Sequence, residues 1–342
     1  MQGLCHTERG RFAGTDFMRF GKLFAIFSAV SCAMLPAAAI AHGPPQPAPT
    51  FQHVIAAWQP DVLFLLPAAA VTWAYLSAVR RVNRAHPTNP VPKRRTVFFL
   101  LGIAVMALAL VSPIAAYDTE LFSVHMAQHM LIVMVAAPLL LLGAPITLAL
   151  RAATPRIRKE VILPILHSRA VKAISFPAFT WFLLAGVLWI THFSSAFDFA
   201  LENIWAHRAE HTVYIVAALL FWWPAINADP SPWRLGHPVR LLYVFLQMPQ
   251  NSFLGVSIYG TTNVIFPHYA SVARNWGPDP LTDQEFAGIT MWVIGDMMFL
   301  VILAFIAYGW VKHEERAAER ADRAQDRENA AAARAKATAS VR

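Results

Sequence analysis

The sequence contains few charged residues and almost no cysteine. Asp, Glu, Lys and Arg make up 14% of its 342 residues and hydrophobic residues 57%, which is too apolar for an ordinary soluble domain. Its two cysteines, Cys5 and Cys32, both lie within residues 1–41. No disulfide can therefore link later parts of the chain, and a metal site there must use His, Met or carboxylate ligands.

The motifs of common enzyme classes are also missing. The sequence has no P-loop, no dinucleotide-binding fingerprint and no nucleophile elbow. We therefore expect neither a hydrolase nor an ATP-driven pump, and predict that the protein is not an enzyme.

Long apolar runs dominate what is present. A membrane-spanning helix needs about 20 mostly apolar residues, whereas a closed barrel needs short alternating strands. Seven runs of suitable length follow the first 60 residues, at 61–79, 97–116, 121–142, 174–193, 207–226, 239–258 and 286–310. The sequence therefore predicts an all-α, polytopic membrane helix bundle with about seven transmembrane helices.

The N-terminal segment resembles a secretory signal. Arg19 and Lys22 precede an apolar stretch that ends at Ala41, which predicts a cleavable signal peptide over 1–41; an uncleaved first helix is the alternative. The remaining organisation is a periplasmic N-terminal segment (42–60), a seven-helix transmembrane domain (61–311) and a charged cytoplasmic tail (312–342).

The basic residues indicate the orientation of the bundle. Alternate loops and the C-terminal tail hold 22 of the 28 Lys and Arg residues, whereas the opposite loops hold only Arg208 and Arg274. By the positive-inside rule the N-terminus lies outside and the C-terminus in the cytoplasm, as in a multi-pass protein of the bacterial inner (plasma) membrane. The formal charge of +8 is then a topology signal that favours contact with the lipid bilayer, and we expect no nucleic-acid partner.

Histidines concentrate on the other side of this predicted bundle, at or near the outer helix ends. These are His42, His53, His125, His129, His192, His207, His211 and His268. Two pairs have a four-residue spacing, His125 with His129 and His207 with His211, which places both rings of a pair on one helix face. Interhelical hydrogen bonding is one explanation, and a shared metal ion is the other.

Thioether and imidazole ligands together favour copper. Met126 and Met130 accompany the first histidine pair, and His192 ends the fourth run at a similar depth. Because thioether sulfur is a soft ligand, this set suits Cu(I) better than zinc or magnesium. Filling of apolar packing gaps is the alternative role of the methionines.

Other polar residues occur within or beside the predicted spans. Glu210 lies between the second pair of histidines, and Gln250, Asn251 and Asp296 lie in the sixth and seventh runs. Such residues could form a second shell around a metal, a polar seam between helices, or a second metal or proton site. Pro249 should kink the sixth helix.

Three stretches of the sequence together carry a recognisable pattern. They are HMAQHMLIVMVAAPLLLLGAP (125–145), LENIWAHRAEHTVYIVAALLFWWPAINADP (201–230) and TDQEFAGITMWVIGD (282–296). In order and spacing they resemble the CtaG family of cytochrome c oxidase assembly factors, the seven-helix membrane type and not the single-span copper chaperone of the same name. The resemblance covers roughly 55–311. It matches the two histidine pairs, and it places Asp283, Gln284 and Asp296 in the seventh-helix signature.

The resemblance implies a non-enzymatic role in maturing a haem–copper oxidase, with copper supplied to it at the periplasmic side. Oxidase subunits or other copper chaperones would be the partners. Two alternatives stay open: a haem b-binding electron carrier with axial histidines on separate helices, and a metal permease, which would need ligands in the cytoplasmic half as well.

Overall fold

The computed structural model describes the backbone of residues 46–340 and the side chains of residues 46–331. The predicted signal peptide and His42 lie outside the described residues. Every regular element within 46–340 is helical.

The described helices follow in chain order. They are α1 Phe51–Ala56, α2 Val62–Ala85, α3 Lys93–Val111, α4 Pro113–Tyr117, α5 Phe122–Met130, π1 Leu131–Ala136, α6 Ala137–Leu142, α7 Pro145–Ala152, α8 Pro155–Ile157, π2 Arg158–Ile162, α9 Leu163–Leu166, α10 Arg169–Ile174, α11 Pro177–His192, α12 Ala196–Glu202, α13 Ile204–Ile226, α14 His237–Phe245, α15 Gln247–Tyr259, α16 Pro267–Ser271, α17 Pro280–Ile289, π3 Thr290–Ile294 and α18 Gly295–Ser340.

Five of the described helical stretches are long and apolar enough to cross a membrane. They are Val62–Ala85, Lys93–Tyr117, Phe122–Ala152, Ile204–Ile226 and Pro280–Ala331. A sixth is added if α11 and α12, which are bent by 71°, count as one span. The predicted all-helical membrane architecture is confirmed at this level.

The sixth predicted run is not one continuous helix. α14 ends at Phe245 and α15 begins at Gln247. Pro249 lacks an N–H, and its ring crowds the carbonyl four residues earlier, which belongs to Phe245. The break therefore falls where the predicted proline kink would place it. At the C-terminus, α18 continues through Ser340, beyond the predicted boundary at 311.

The stretch Phe122–Ala152 lies at the centre of the bundle. Half of its most apolar window is buried, the largest share among the five stretches. α5 packs against α17, and α6 packs against α3 and α13. π1 follows α5 directly, and π-type turns inside α-helices occur frequently at functional sites.

Two glycines let α15 and α17 approach closely. A Cβ added at Gly288 would lie 2.7 Å from the Tyr259 backbone nitrogen, and one at Gly255 would lie 2.8 Å from the Trp292 backbone nitrogen. Small residues of this kind permit tight packing between membrane helices. α17 also packs against α5, which carries the first histidine pair.

Candidate metal centre

The first histidine pair lies on α5, whose N-terminus is capped by a residue from another helix. Leu121 occupies the N-cap position and provides no side-chain acceptor. Asp283 of α17 replaces it: its carboxylate accepts the Phe122 N–H at 2.7 Å and the Ser123 hydroxyl at 2.5 Å. A carboxylate at a helix N-terminus satisfies free N–H groups and complements the helix dipole. Asp283 therefore positions the pair.

His125 and His129 face the interior from α5. Their exposed fractions are 0% and 1%, and the two Nε2 atoms lie 3.1 Å apart. The Nδ1 atom of each ring is buried and has no hydrogen-bond partner among the described residues. Two imidazole nitrogens about 2 Å from one tetrahedral ion are separated by about 3.3 Å, so this spacing suits a shared metal.

The second pair meets the first from α13. Asn203 caps this helix by accepting the N–H groups of Trp205 and Ala206. His207 and His211 then lie on one face with ring centroids 4.4 Å apart. The His125 and His207 rings stack at 5.3 Å, and the His129 and His211 rings meet edge to face at 5.8 Å. We call His125, His129, His207 and His211 the histidine cluster.

Two buried carboxylates complete the cluster. Asp118 Oδ2 lies 3.8 Å from His207 Nε2, and Glu210 Oε2 lies 4.0 Å from His125 Nε2. Neither Glu210 oxygen has a hydrogen-bond partner in the described part of the chain. Burial raises the pKa of Asp118 to about 8, because a charged carboxylate is costly away from water. A bound cation would offset that cost.

Asp118 is the site residue that the sequence analysis missed. It lies in the four-residue connection between α4 and α5, and its exposed fraction is 3%. The available signal was an acidic residue directly before a histidine-bearing span on the outer side. Glu210, predicted as a second-shell group, lies close enough to be a ligand itself.

The donor atoms form two overlapping sets. One consists of Asp118, His125 and His207, the other of His125, His129 and Glu210, and within each set the donor atoms lie within 4.8 Å of one another. Imidazole and carboxylate are common ligands of divalent first-row metals. The residues therefore fit a metal ion, with His125 shared between the two sets.

His211 is oriented by Gln128. The Gln128 amide donates to the Ala109 carbonyl at 2.9 Å, so its Oε1 is left to accept from His211 Nε2 at 3.0 Å. The proton then lies on Nε2 of His211, and Nδ1 carries the lone pair. A ring held by its other nitrogen in this way is typical of metal-binding histidines.

His192 and the methionines lie beside the cluster. His192 Nε2 contacts Met126 Sδ at 3.2 Å, and both side chains are buried. Met130 is also buried. Its sulfur lies 3.6 Å from the position that a Cβ on Gly295 would occupy, so the Met130 side chain lies near the start of the last helix.

The other predicted polar residues form contacts between helices. Trp189 donates to Gln250 at 2.6 Å, Asn251 donates to the Met291 carbonyl at 2.8 Å, and Ser252 donates to Asp296 at 2.5 Å. The last two hydrogen bonds join α15 to the final span. They form a polar seam between helices, which is one of the roles predicted for these residues.

The remaining described histidines of the predicted outer group do not join the cluster. His53 is exposed and hydrogen-bonds the Ala48 carbonyl at 2.9 Å, while His268 donates from Nε2 to the Thr119 carbonyl at 3.0 Å. The two arginines of the predicted outer loops are each near an acid: Arg208 lies 3.2 Å from Asp61, and Arg274 lies 4.0 Å from Asp283.

Comparison with known proteins identifies the family of this arrangement. A family model described as cytochrome c oxidase caa3 assembly factor (Caa3_CtaG) matches residues 73–313. The chain belongs to this family. The matched region includes both histidine pairs of this chain, Asp118 and the capping residue Asp283.

Similar curated proteins occur in mycobacteria. Uncharacterized proteins of Mycobacterium bovis and Mycobacterium tuberculosis are each 30% identical to this chain over 289 residues, which is 82% of this chain and 43% of theirs. An uncharacterized protein of Mycobacterium leprae is 30% identical over 292 residues, with the same shares. The chain thus spans less than half the length of these relatives. No solved structure matches it.

Proposed function

We propose that this assembly factor binds copper at the outer end of its bundle and delivers it to a haem–copper cytochrome c oxidase during assembly. The observation that carries the proposal is the convergence of four imidazoles and two buried carboxylates from two spans and a connecting loop. His125 Nε2 and His129 Nε2, 3.1 Å apart with Glu210 nearby, are the centre of that arrangement. Copper is the cargo, and the protein carries it without catalysing a reaction.

The proposed topology puts the cluster on the periplasmic face. Seven spans follow from the apolar runs, and an outer N-terminus and a cytoplasmic C-terminus follow from the Lys and Arg distribution, in the inner membrane of a bacterium. The interrupted pairs α11–α12 and α14–α15 are then the fourth and sixth crossings. Copper reaching the cell from outside would meet the histidines without crossing the bilayer.

Transfer requires ligands that exchange. Imidazole and carboxylate donors hold copper less tightly than a set of thiolates, and the cysteines of this chain lie within residues 1–41. A partner that presents stronger ligands, either an oxidase subunit or another copper chaperone, would remove the ion. The direction of transfer is therefore from the cluster to the partner.

The contacts around the cluster favour a small ion over haem. A porphyrin must lie flat between its two axial imidazoles. The His129 ring instead packs on Tyr214 with centroids 4.1 Å apart, and His211 donates Nε2 to Gln128. The cluster ligands also gather at one end of the bundle, whereas a permease would need a continued path.

The test compares cluster histidines with an outer histidine away from them. Full-length protein in detergent is loaded with copper, desalted and analysed for metal and protein content. We expect stoichiometric copper in the wild type and in the exposed control His53→Ala, and a 10–100-fold weaker affinity in His129→Ala. In cells lacking the gene, His53→Ala should restore oxidase activity and His129→Ala should not. Unchanged copper in a His125→Ala, His129→Ala double variant would rule out this site.

A further inference from the structure

His192 is held in one tautomer at the end of α11. Its Nδ1 lies 2.7 Å from the Leu188 carbonyl. A carbonyl oxygen only accepts hydrogen bonds, so the Nδ1 atom carries the ring proton in neutral His192. The Nε2 atom is then left with an unshared lone pair.

That lone pair faces a second atom that cannot donate. Met126 Sδ lies 3.2 Å from His192 Nε2, and a thioether sulfur has lone pairs but no proton. Met126 is 0% exposed and His192 is 1% exposed, so water does not separate them. A second proton on the ring would create a buried imidazolium, and the cluster carboxylates lie against His125 and His207 instead.

A soft metal ion bound to both atoms would relieve this contact between two lone-pair donors. An ion about 2.0 Å from nitrogen and about 2.3 Å from sulfur separates the two donors by about 3.5 Å at a tetrahedral angle. The observed 3.2 Å differs from that spacing by a few tenths of an ångström. Thioether sulfur selects Cu(I) among the first-row metals, and His192 and Met126 would supply two of its ligands.

The pair is adjacent to the histidine cluster but separate from it. The buried ring of Phe197 lies between them, with its centroid 5.6 Å from that of His192 and 5.0 Å from that of His125. His125 and Met126 are consecutive on α5, so successive side chains point to the two sides.

We propose that His192 Nε2 and Met126 Sδ form a second copper site, selective for Cu(I), beside the imidazole and carboxylate cluster. The proposal rests on the copper-carrying function given above and adds a separate site for each oxidation state of copper. The cluster, with nitrogen and oxygen donors, holds Cu(II); the nitrogen and sulfur pair holds Cu(I). Each oxidation state then has its own place in the same protein.

The test uses X-ray absorption of the full-length protein loaded anaerobically with Cu(I), together with competition against a colorimetric Cu(I) chelator. We expect a sulfur neighbour at about 2.3 Å from copper. Met126→Leu should remove that neighbour and weaken Cu(I) binding 10–100-fold, while Cu(II) binding measured by electron paramagnetic resonance stays unchanged. Met134→Leu, a buried methionine further along the same span, is the matched control and should change neither.

Both substitutions conserve volume, so the variants should fold. Copper bound by nitrogen alone in the wild type, or a sulfur signal that persists in Met126→Leu, would overturn the second site and leave the cluster proposal intact. A wild-type protein that binds neither oxidation state would overturn both.

Discussion

Asp283 accepts the Phe122 backbone N–H at 2.7 Å across a sequence separation of 161 residues. A carboxylate in the last span thereby fixes the start of the helix that carries His125 and His129. The ligands and their anchor come from helices far apart in the sequence, so the geometry of the candidate copper site depends on the packing of α17 against α5.

Asp283→Ala should weaken both the fold and the site. The loss of a helix cap costs about 1–2 kcal/mol of unfolding free energy, and α5 would lose the anchor three residues before His125. We expect a lower melting temperature in detergent and reduced copper affinity. Asp279→Ala is the control, because Asp279 is exposed and caps only its own helix. Equal copper affinities in the two variants would contradict the positioning role.

Glu210→Gln should separate stability from metal binding. The carboxyl group is buried without a hydrogen-bond partner in the described residues, so it ionises only at a cost, and a neutral isostere avoids that cost. We expect an equal or higher melting temperature without metal, and about 10-fold weaker Cu(II) binding. Glu202→Gln, at an exposed position ending α12, should leave both unchanged. A fall in melting temperature with intact Cu(II) binding would indicate a purely structural Glu210.

Gln128 is expected to affect copper binding by orienting His211. Gln128→Leu removes the acceptor of the Nε2 proton and should lower copper affinity about 10-fold. Gln128→Glu keeps an acceptor for His211 but loses the donor to Ala109, so it should melt earlier while retaining copper. Gln250→Leu, which removes a partner of Trp189, is a control for loss of an amide elsewhere. If Gln128→Glu loses as much copper as Gln128→Leu, the orientation argument is wrong.

Gly288→Ala should destabilise the bundle by about 1–3 kcal/mol, because the added methyl group meets the Tyr259 backbone. Gly186→Ala is matched in chemistry but has open space around its Cβ position, so it should be neutral or slightly stabilising. Melting temperatures of the two variants in the same detergent give the comparison. Similar values would show that α15 and α17 tolerate a wider separation.

Some of the site was predictable because it is local. A four-residue spacing puts His125 beside His129, and His207 beside His211, in any α-helix. Sequence could not identify Asp118 or Gln128 as neighbours of these rings, because each contact joins different helices or a loop and a helix. The contact of His192 with Met126 likewise joins residues 66 positions apart.

By itself the sequence determined the helical, membrane-type architecture and the grouping of histidines toward one end. Both follow from apolar run length and local spacing, which do not depend on how the helices pack. Only the tertiary structure decided which rings meet, which nitrogens are already used in hydrogen bonds, and which carboxylates are buried beside them. Those features depend on the relative positions of α5, α11, α13 and α17, and long-range packing sets these positions.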